Sequence, residues 1–267
     1  MMTSIHTIVC IKPVPDPNLW DKLKLDPETM LLCRDDVPPV INPLDRNALE
    51  QALFFKEKFR GKVSVITMAP PNAEEQLLEA LAMGCDDAYL LTDRAFAGAD
   101  TLATARCLKT AIEKIGSYDL IFCGGYSLDG STAQVGPQIA ELLGIPDLIH
   151  TIQIEIDETV VRAHCKREEG FAVYETDLPV LVTFDKEVNR PRMAHMKGIK
   201  QAMQKGITVW AARDLNLSAD EVGLKGSPTQ MLNIYTPSVR RKGEILQGSP
   251  NEVVVDLISK LKKEKIT

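Results

Sequence analysis

The sequence predicts an α/β fold: a three-layer parallel sheet with an antiparallel extension, followed by a C-terminal arm and a helix. Three observations support this prediction. Short β-branched runs in the first half alternate with longer helical patterns. Each of these runs is almost continuously apolar, as in strands that are covered on both faces. After residue 144 the pattern changes to closely spaced extended runs, which are typical of antiparallel hairpins.

The parallel core is predicted to contain strands at residues 6–12, 62–68, 87–91 and 119–124. Amphipathic stretches lie between these strands, and each begins at a residue that can cap a helix. The predicted caps are Asp45, Asn72 and Asp100, and the second and third helices are expected to end at Gly84 and Gly116. Repeated strand–helix–strand units imply right-handed crossovers, so the pattern indicates a Rossmann-like sheet.

The second half is predicted to extend this sheet. Residues 149–157 and 160–168 form a hairpin with Asp157 and Glu158 near its turn. Further extended runs are expected at residues 170–177, 179–185 and 207–215. Pro191 excludes a helix before it, so the segment after residue 185 is predicted to be a loop that becomes helical near Met196.

Residues 1–215 are predicted to form a nucleotide-binding domain, and residues 216–267 a separate C-terminal arm, because the latter segment is rich in Gly and Pro. The arm ends in an amphipathic helix that Ser249 is expected to cap. The apolar stripe of this helix comprises Val253, Val254, Leu257 and Leu261. Such a stripe must be covered either by the first domain or by another subunit.

Composition and charge exclude several classes of protein. The net charge of -6 and the pI of about 5.4 argue against nucleic-acid binding. No apolar run is long enough to span a bilayer, and the first residues lack the basic start of an export signal, so a cytoplasmic location is predicted. The six cysteines contain no CxxC pair and are expected to be buried apolar side chains, without a metal site.

The main candidate site lies in "CGGYSLDGSTAQVGPQIAELLG", residues 123–144. A strand ends at Gly124 and Thr132 is placed to begin a helix, whose unpaired N–H groups attract anions. Ser131 and Thr132 add hydroxyl donors. The patterns GxxxxGK[ST] and GxGxxG are absent, and Ser131 lacks the surroundings of a GxSxG nucleophile. The segment is therefore either an anion site at the carboxyl edge of the sheet or a plain turn with a hydroxyl cap.

Two other segments point to the same edge of the sheet. "CIKPVPDP" leaves the first strand with Pro13 and Pro15, which predict a rigid, extended loop. "INPLDRNALE" brings Asn42 and Asp45 just ahead of a helix. The simpler interpretation of the second segment is a turn at Asn42 and a cap at Asp45.

Together and in this order, these segments resemble the beta subunit of electron-transfer flavoproteins. The resemblance also includes "LPVLVTFDKEVNRPRMAHMKGI" and "GEILQGSPNEVVVDLISKL", and it extends over essentially the whole chain. It implies a Rossmann-like subunit that holds an adenine nucleotide, with its arm packed on an alpha subunit that carries a mobile FAD. In the mitochondrial type the nucleotide is a structural AMP. In the type from anaerobic bacteria it is a second FAD, which takes a hydride from NAD(H) and bifurcates the electrons to ferredoxin or flavodoxin and, through the alpha flavin, to a dehydrogenase.

The small residues of the turn make this sequence more similar to the anaerobic type, although Ser131 stands where an aspartate is common in the family. By the resemblance, the nucleotide-binding residues are Cys10, Asn42, Asp45, Met68, Gly124, Asp129, Gly130, Ser131, Thr132, Ala133, Gln134, Val135 and Gly136. Cys10 and Met68 would face the adenine; core filling is the alternative for both. The functional alternatives are a non-bifurcating carrier with AMP and a non-redox nucleotide-binding regulatory module.

The resemblance also implies that the loop at residues 189–199 docks the partner dehydrogenase. Met196 is at the position of the apolar anchor, and Met193 is an alternative anchor. Arg192, His195 and Lys197, with Arg190 beside them, make this loop basic and suit an acidic rim on the partner. The alternative is a methionine that folds back onto its own domain.

Overall fold

The computed structural model describes residues 4–25, 32–33, 37–230, 232, 243–264 and 266. In chain order the described strands are β1 (His6–Cys10), β2 (Pro13–Pro15), β3 (Lys24–Leu25), β4 (Leu32–Cys33), β5 (Pro39–Ile41), β6 (Lys62–Met68), β7 (Asp87–Leu91), β8 (Leu120–Gly124), β9 (Asp147–Asp157), β10 (Val160–Arg167), β11 (Gly170–Asp177), β12 (Val180–Phe184) and β13 (Thr208–Trp210). The described α-helices are α1 (Pro43–Phe59), α2 (Glu74–Met83), α3 (Thr101–Ile115), α4 (Val135–Leu143), α5 (Met196–Lys205) and α6 (Pro250–Lys263). The chain divides into two compact units, Met1–Met231 and Leu232–Thr267.

The main sheet of the first unit confirms a parallel core with an antiparallel extension. Its order among the described strands is β11-β10-β9-β12-β8-β1-β6-β7-β13. All neighbours from β9 to β13 run parallel, whereas β10 is antiparallel to both β9 and β11. The chain moves from β1 to β6 and β7 on one side and then to β8 on the other. The boundary between β1 and β8 is therefore the switch point, where open α/β sheets bind ligands at their carboxyl edge.

Helices cover both faces of the parallel core. Val9 and Phe122 belong to the buried cluster that includes α1 and α2, whereas Ile8 and Ile121 belong to the cluster that includes α3 and α4. Successive residues of a strand point to opposite faces, so a strand covered on both sides needs an apolar residue at nearly every position. This requirement explains the continuous apolar runs and gives the three layers.

The structure corrects the start of two predicted helices. Helix α1 begins at Pro43, with Asn42 at its N-cap, so Asp45 is a buried residue of the first turn and not the cap. Proline suits the first helical position because the missing N–H needs no acceptor there. Asn72 lies inside a 3₁₀ turn that precedes α2, so it does not cap that helix. Asp100 caps α3 as predicted, because its carboxylate accepts from the Ala103 N–H at 2.9 Å.

The ends of these helices and most of the second half of the chain agree with the sequence patterns. The extended run predicted at residues 207–215 was wrong in its second part, because the strand covers only Thr208–Trp210 and Ala212–Leu215 form a 3₁₀ helix. Helices α2 and α3 end at Gly84 and Gly116. Strands β9 and β10 form the predicted hairpin, and α5 begins at Met196. Segment Pro13–Pro15 is extended and pairs with Pro39–Ile41, as the two prolines indicated. No helix among the described residues combines the length and hydrophobicity that crossing a bilayer requires.

The second unit contains α6, and residues 233–242 of the predicted arm lie outside the described residues. Ser249 precedes this helix, and its N–H and hydroxyl donate to the Glu252 carboxylate at 2.8 and 2.7 Å. Two residues of the predicted apolar stripe, Val254 and Leu257, are 53% and 45% exposed. The domain boundary at residue 215 and the packing of the arm on an alpha subunit stay predictions.

Candidate functional site

The carboxylate of Asp45 holds three segments together at the switch point. It accepts from the Lys12 N–H at 2.7 Å, from the Gly124 N–H at 3.0 Å and from the Asn42 amide at 3.0 Å. These donors follow β1, end β8 and precede α1, respectively. A Cβ on Gly124 would lie 2.3 Å from an Asp45 oxygen, so this close approach requires glycine.

The burial of Asp45 changes its acidity. Burial raises the pKa of Asp45 to about 7, although the three hydrogen bonds and the charge of Lys12 act in the opposite direction. The carboxyl group that joins these three segments therefore titrates near neutral pH.

Asn42 supports the first part of the loop that follows β8. Its side-chain amide donates to the Tyr126 carbonyl at 2.9 Å, and its side-chain oxygen accepts from the Leu128 N–H at 3.2 Å. Asn42 is fully buried, and its backbone N–H donates to the Lys12 carbonyl at 2.9 Å. The loop after β8 is therefore fixed by the Asn42 side chain. The Asn-Pro sequence before α1 indicated only a turn, and the structure gives Asn42 this additional role.

Lys12 is a site residue that the sequence analysis missed. Its ammonium group lies 2.7 Å from the Asp129 carboxylate and 3.4 Å from the Ser127 hydroxyl. The pairing reduces the repulsion that Asp129 would exert on a bound anion. The available signal was a lysine directly after a core strand, since the carboxyl ends of neighbouring parallel strands meet at one edge.

The turn before α4 differs from the prediction. Helix α4 begins at Val135, and Thr132 lies three residues before it, in the loop. Ser131 and Ala133 have φ angles of 49° and 56°, which only a few per cent of non-glycine residues adopt. Left-handed residues that alternate with ordinary ones turn successive N–H groups towards a common concavity, and such concavities bind anions.

This turn has backbone N–H groups of the kind from which anions accept hydrogen bonds. Within the part of the chain that the structure describes, the backbone N–H groups of Thr132, Ala133, Gln134 and Val135 have no protein acceptor. They lie next to the N-terminus of α4, which carries a partial positive charge. Two left-handed residues cost on the order of 1 kcal/mol each, and strain of this kind is common where a backbone is shaped for a ligand.

Two residues fix the position of α4. A Cβ on Gly136 would lie 2.7 Å from Thr183 Cγ2, so glycine allows the helix to approach β12 closely. The Gln134 side-chain oxygen accepts from the Thr101 hydroxyl at 3.0 Å, which joins the turn to the start of α3. The Gln134 side chain therefore has a structural contact, and its backbone N–H remains available to a ligand.

Cys10 and Met68 lie at the carboxyl ends of β1 and β6, as predicted, and both also have core contacts. Cys10 and Cys123 belong to one buried cluster, and the neighbouring Cys10 thiol together with burial raises the pKa of Cys123. Met68 is half-buried against the cluster shared with α3 and α4. Cys10, Cys85, Cys107, Cys123 and Cys165 are buried, as the sequence predicted. Contact of Cys10 or Met68 with an adenine stays a prediction.

The predicted docking loop divides into exposed and internally bonded residues. Met193 and Met196 are 76% and 83% exposed, so neither folds back onto its own domain. Arg192, in contrast, donates to both oxygens of Glu50 at 2.9 to 3.2 Å and to Glu57 at 2.5 Å. The charge of Arg192 is therefore neutralised by α1 and does not contribute to a free basic rim.

Two further contacts fasten this loop. The Asn189 amide donates to the Asn47 carbonyl, and the Asn47 amide donates back to Asn189, each at 3.0 Å. The His195 ring accepts from the Gly198 N–H at 3.3 Å and so caps α5. Of the predicted partner-binding residues, Met193, Met196 and Lys197 are exposed without such a role, whereas Arg192 and His195 support the loop itself.

Comparison with known proteins identifies relatives over the full length. The family model for the electron transfer flavoprotein domain matches residues 29–215. The chain is 48% identical over 263 residues to the electron transfer flavoprotein subunit beta of Thermoanaerobacterium thermosaccharolyticum, which covers 98% of this chain and 100% of the relative. It is 44% identical over 264 residues to the caffeyl-CoA reductase–Etf complex subunit CarD of Acetobacterium woodii, covering 98% and 100%. It is 39% identical over 266 residues to the acryloyl-CoA reductase electron transfer subunit gamma of Anaerotignum propionicum, covering 97% and 98%.

Proposed function

This chain belongs to the electron transfer flavoprotein family as a beta subunit, and from that membership we propose that its loop at the carboxyl edge binds the diphosphate of FAD. The chemistry that bound FAD supplies is acceptance of a hydride from NADH and release of single electrons, one to ferredoxin or flavodoxin and one through the FAD of the alpha subunit to a partner dehydrogenase. The family membership leaves the non-redox regulatory module without support.

The observation that carries the proposal is the concavity of four N–H groups from Thr132 to Val135. A diphosphate needs several convergent donors and a positive potential, and these groups with the N-terminus of α4 provide both. Lys12 lowers the repulsion from Asp129, and the small side chains of Gly130, Ser131 and Ala133 leave room for a ligand larger than AMP. Relatives named as parts of acyl-CoA reductase complexes favour a dehydrogenase partner.

The protein residues bind and orient the cofactor and do not need to act as acid or base. Asn42 and Asp45 fix the loop after β8 through buried hydrogen bonds. The backbone N–H groups of Thr132 to Val135 donate to the phosphates. Met193 and Met196, held out from the loop at residues 189–199, are the apolar contacts for the partner dehydrogenase. Lys197 supplies a positive charge beside them.

The proposal is tested by counting cofactors in the purified heterodimer of this chain and its alpha subunit. After denaturation, two FAD and no AMP per heterodimer support the proposal. One FAD with one AMP would instead establish the non-bifurcating carrier.

A matched pair of variants locates the second FAD. Thr132→Glu places a negative charge in the concavity and is expected to lower the FAD content from two to one. Thr159→Glu makes the same change on the exposed turn between β9 and β10 and is expected to leave two. Retention of two FAD by Thr132→Glu would contradict the assignment of this loop.

A further inference from the structure

His150 has an unusual backbone at the same edge of the sheet. Val182 of β12 pairs with Leu148 of β9, and Phe184 pairs with Thr151, so three steps along β9 oppose two along β12. This is a β-bulge with one extra residue, and His150 within it has a φ of 55°. Bulges re-aim side chains and are frequent beside functional sites. A left-handed histidine is held in place only when the surrounding structure compensates for its strain.

The bulge places the His150 ring on a buried carboxylate. His150 Nδ1 lies 3.1 Å from an oxygen of Asp185, whose side chain is 12% exposed. Asp185 is itself fixed, because its N–H donates to the Thr151 carbonyl at 3.1 Å, and the His150 N–H donates to the Thr183 hydroxyl at 3.0 Å. With the carboxylate accepting from Nδ1–H, the neutral ring presents Nε2 as a hydrogen-bond acceptor.

The dyad of His150 and Asp185 borders the nucleotide loop. A Cβ on Gly125 would lie 2.8 Å from the Asp185 oxygen and 3.5 Å from His150 Nδ1, so glycine is needed where the loop passes the dyad. Gly125 is also bonded to the end of β12, through its N–H to the Phe184 carbonyl at 2.8 Å. Neighbouring strands lie about 4.8 Å apart. One strand, β8, therefore separates Asp185 from the crevice between β1 and β8, and two strands, β8 and β12, separate His150 from it.

The dyad remains open to a ligand. The His150 side chain is 35% exposed, and the sequence analysis assigned it no role. Tyr126, the next loop residue after Gly125, is 39% exposed. Lys166, which follows on β10, has its ammonium group 3.2 Å from the Glu187 carboxylate. A polar, partly open corner therefore continues the nucleotide edge towards β12 and β9.

We infer that His150, oriented by Asp185, is a nucleotide-contacting residue whose Nε2 accepts a hydrogen bond from a hydroxyl group of the ligand. The inference rests on the proposed nucleotide site, because it requires a ligand that extends from the loop towards β12. A nucleotide offers such hydroxyls on its ribose, and FAD offers them also on its ribityl chain. Asp185 binds Nδ1 and so leaves Nε2 as the ring nitrogen that is available to the ligand.

The experiment uses the heterodimer, freed of nucleotide at this site, with ¹⁵N-histidine only in this chain. The chain has four histidines, so His6, His164 and His195 serve as internal controls. Addition of AMP or FAD is expected to shift the Nε2 resonance of His150 and to leave the other rings unchanged. A shift with both ligands assigns the contact to the ribose, and a shift with FAD alone assigns it to the ribityl chain.

Variants test the contribution of His150 to affinity. His150→Asn removes the ring but keeps a residue that tolerates a left-handed backbone, and it is expected to raise the Kd for the nucleotide about tenfold at an unchanged Tm. Asp185→Asn is expected to raise the Kd less, because the ring is kept but loses its orientation. His164→Asn, on the antiparallel extension, is the control and is expected to leave the Kd unchanged.

Two results would overturn the inference, and they differ in what else they affect. In the first result, AMP or FAD binds, but the His150 resonance does not shift and His150→Asn has the Kd of the parent protein. The bulge then only shapes β9, and the proposed function stands. If neither ligand binds the intact heterodimer, the nucleotide site and this inference fail together.

Discussion

Replacement of Asp45 by Asn tests the buried carboxyl group that joins the ends of β1 and β8 to the start of α1. Asn has nearly the same size, and its amide cannot titrate in the physiological range. Burial raises the pKa of Asp45 from its ordinary value of 3.8 to about 7, so between these values the folded protein binds a proton that the unfolded chain does not. The stability from this group is fully present below pH 3.8 and is lost as the pH rises through about 7.

The size of the effect follows from linkage. At pH 8 the carboxyl group is mostly ionised in both states, whereas at pH 6 the folded state holds nearly one extra proton. The free energy of unfolding is then expected to be about 1.4 kcal/mol higher at pH 6 than at pH 8 through Asp45 alone. Asp45→Asn removes this contribution.

The assay is urea unfolding of the heterodimer at pH 6, 7 and 8 and at one protein concentration. For each protein, the free energy of unfolding is plotted against pH. The measured quantity is the difference between the slopes for the parent protein and for the variant, because other groups titrate equally in both. Asp220→Asn is the control, since that side chain is 89% exposed. Equal slopes in the parent and in Asp45→Asn would show that the carboxyl group stays ionised in the fold, held by its three hydrogen bonds.

Three further predictions concern the loops. Met196→Glu is expected to raise the KM for the partner dehydrogenase at least tenfold with unchanged flavin content, and an unchanged KM in steady-state assays would remove Met196 as the anchor. Arg192→Lys loses the paired contact with Glu50 and is expected to speed amide hydrogen exchange at residues 190–195, whereas the control Arg190→Lys is not. Equal exchange rates in the two variants would show that the contact of Arg192 with Glu50 does not hold the loop. Gly124→Ala is expected to lower the free energy of unfolding by about 1–3 kcal/mol in urea titration, because its Cβ would meet the Asp45 carboxylate, and a change within 0.5 kcal/mol would refute this steric argument.

Much of the fold could be predicted because its signals are local. The strand at Lys62–Met68 carries apolar residues on both of its faces, and Asp100 and Gly116 stand at the two ends of α3. Burial on both faces and helix capping each depend on a few neighbouring residues. The prediction that Asp45 caps a helix was wrong. Local spacing cannot show that the N–H groups of Lys12 and Gly124, which are distant in the sequence, both donate to this carboxylate.

The loop residues illustrate the same limit. The sequence showed a basic segment after residue 189, and only the structure shows that Arg192 is bonded to Glu50 and Glu57, which lie more than 130 positions earlier. The bulge at His150 left no pattern in the sequence, since one extra residue in a strand is visible only through its partner strand. Lys12 was likewise present in a recognised segment without a visible partner.

The sequence by itself determined the layers of this protein, the order of its strands and helices along the chain, and the sheet edge at which the candidate site residues lie. These properties follow from periodicity and from the rule that parallel strands end together. Only the tertiary structure decided which polar groups meet at that edge: the contacts of Asp45, the alternating backbone of Ser131 and Ala133, and the pairing of His150 with Asp185. The physical reason is that hydrogen bonds and charge pairs depend on distances of a few ångströms between residues far apart in the chain, and such distances are fixed only when the whole sheet is assembled.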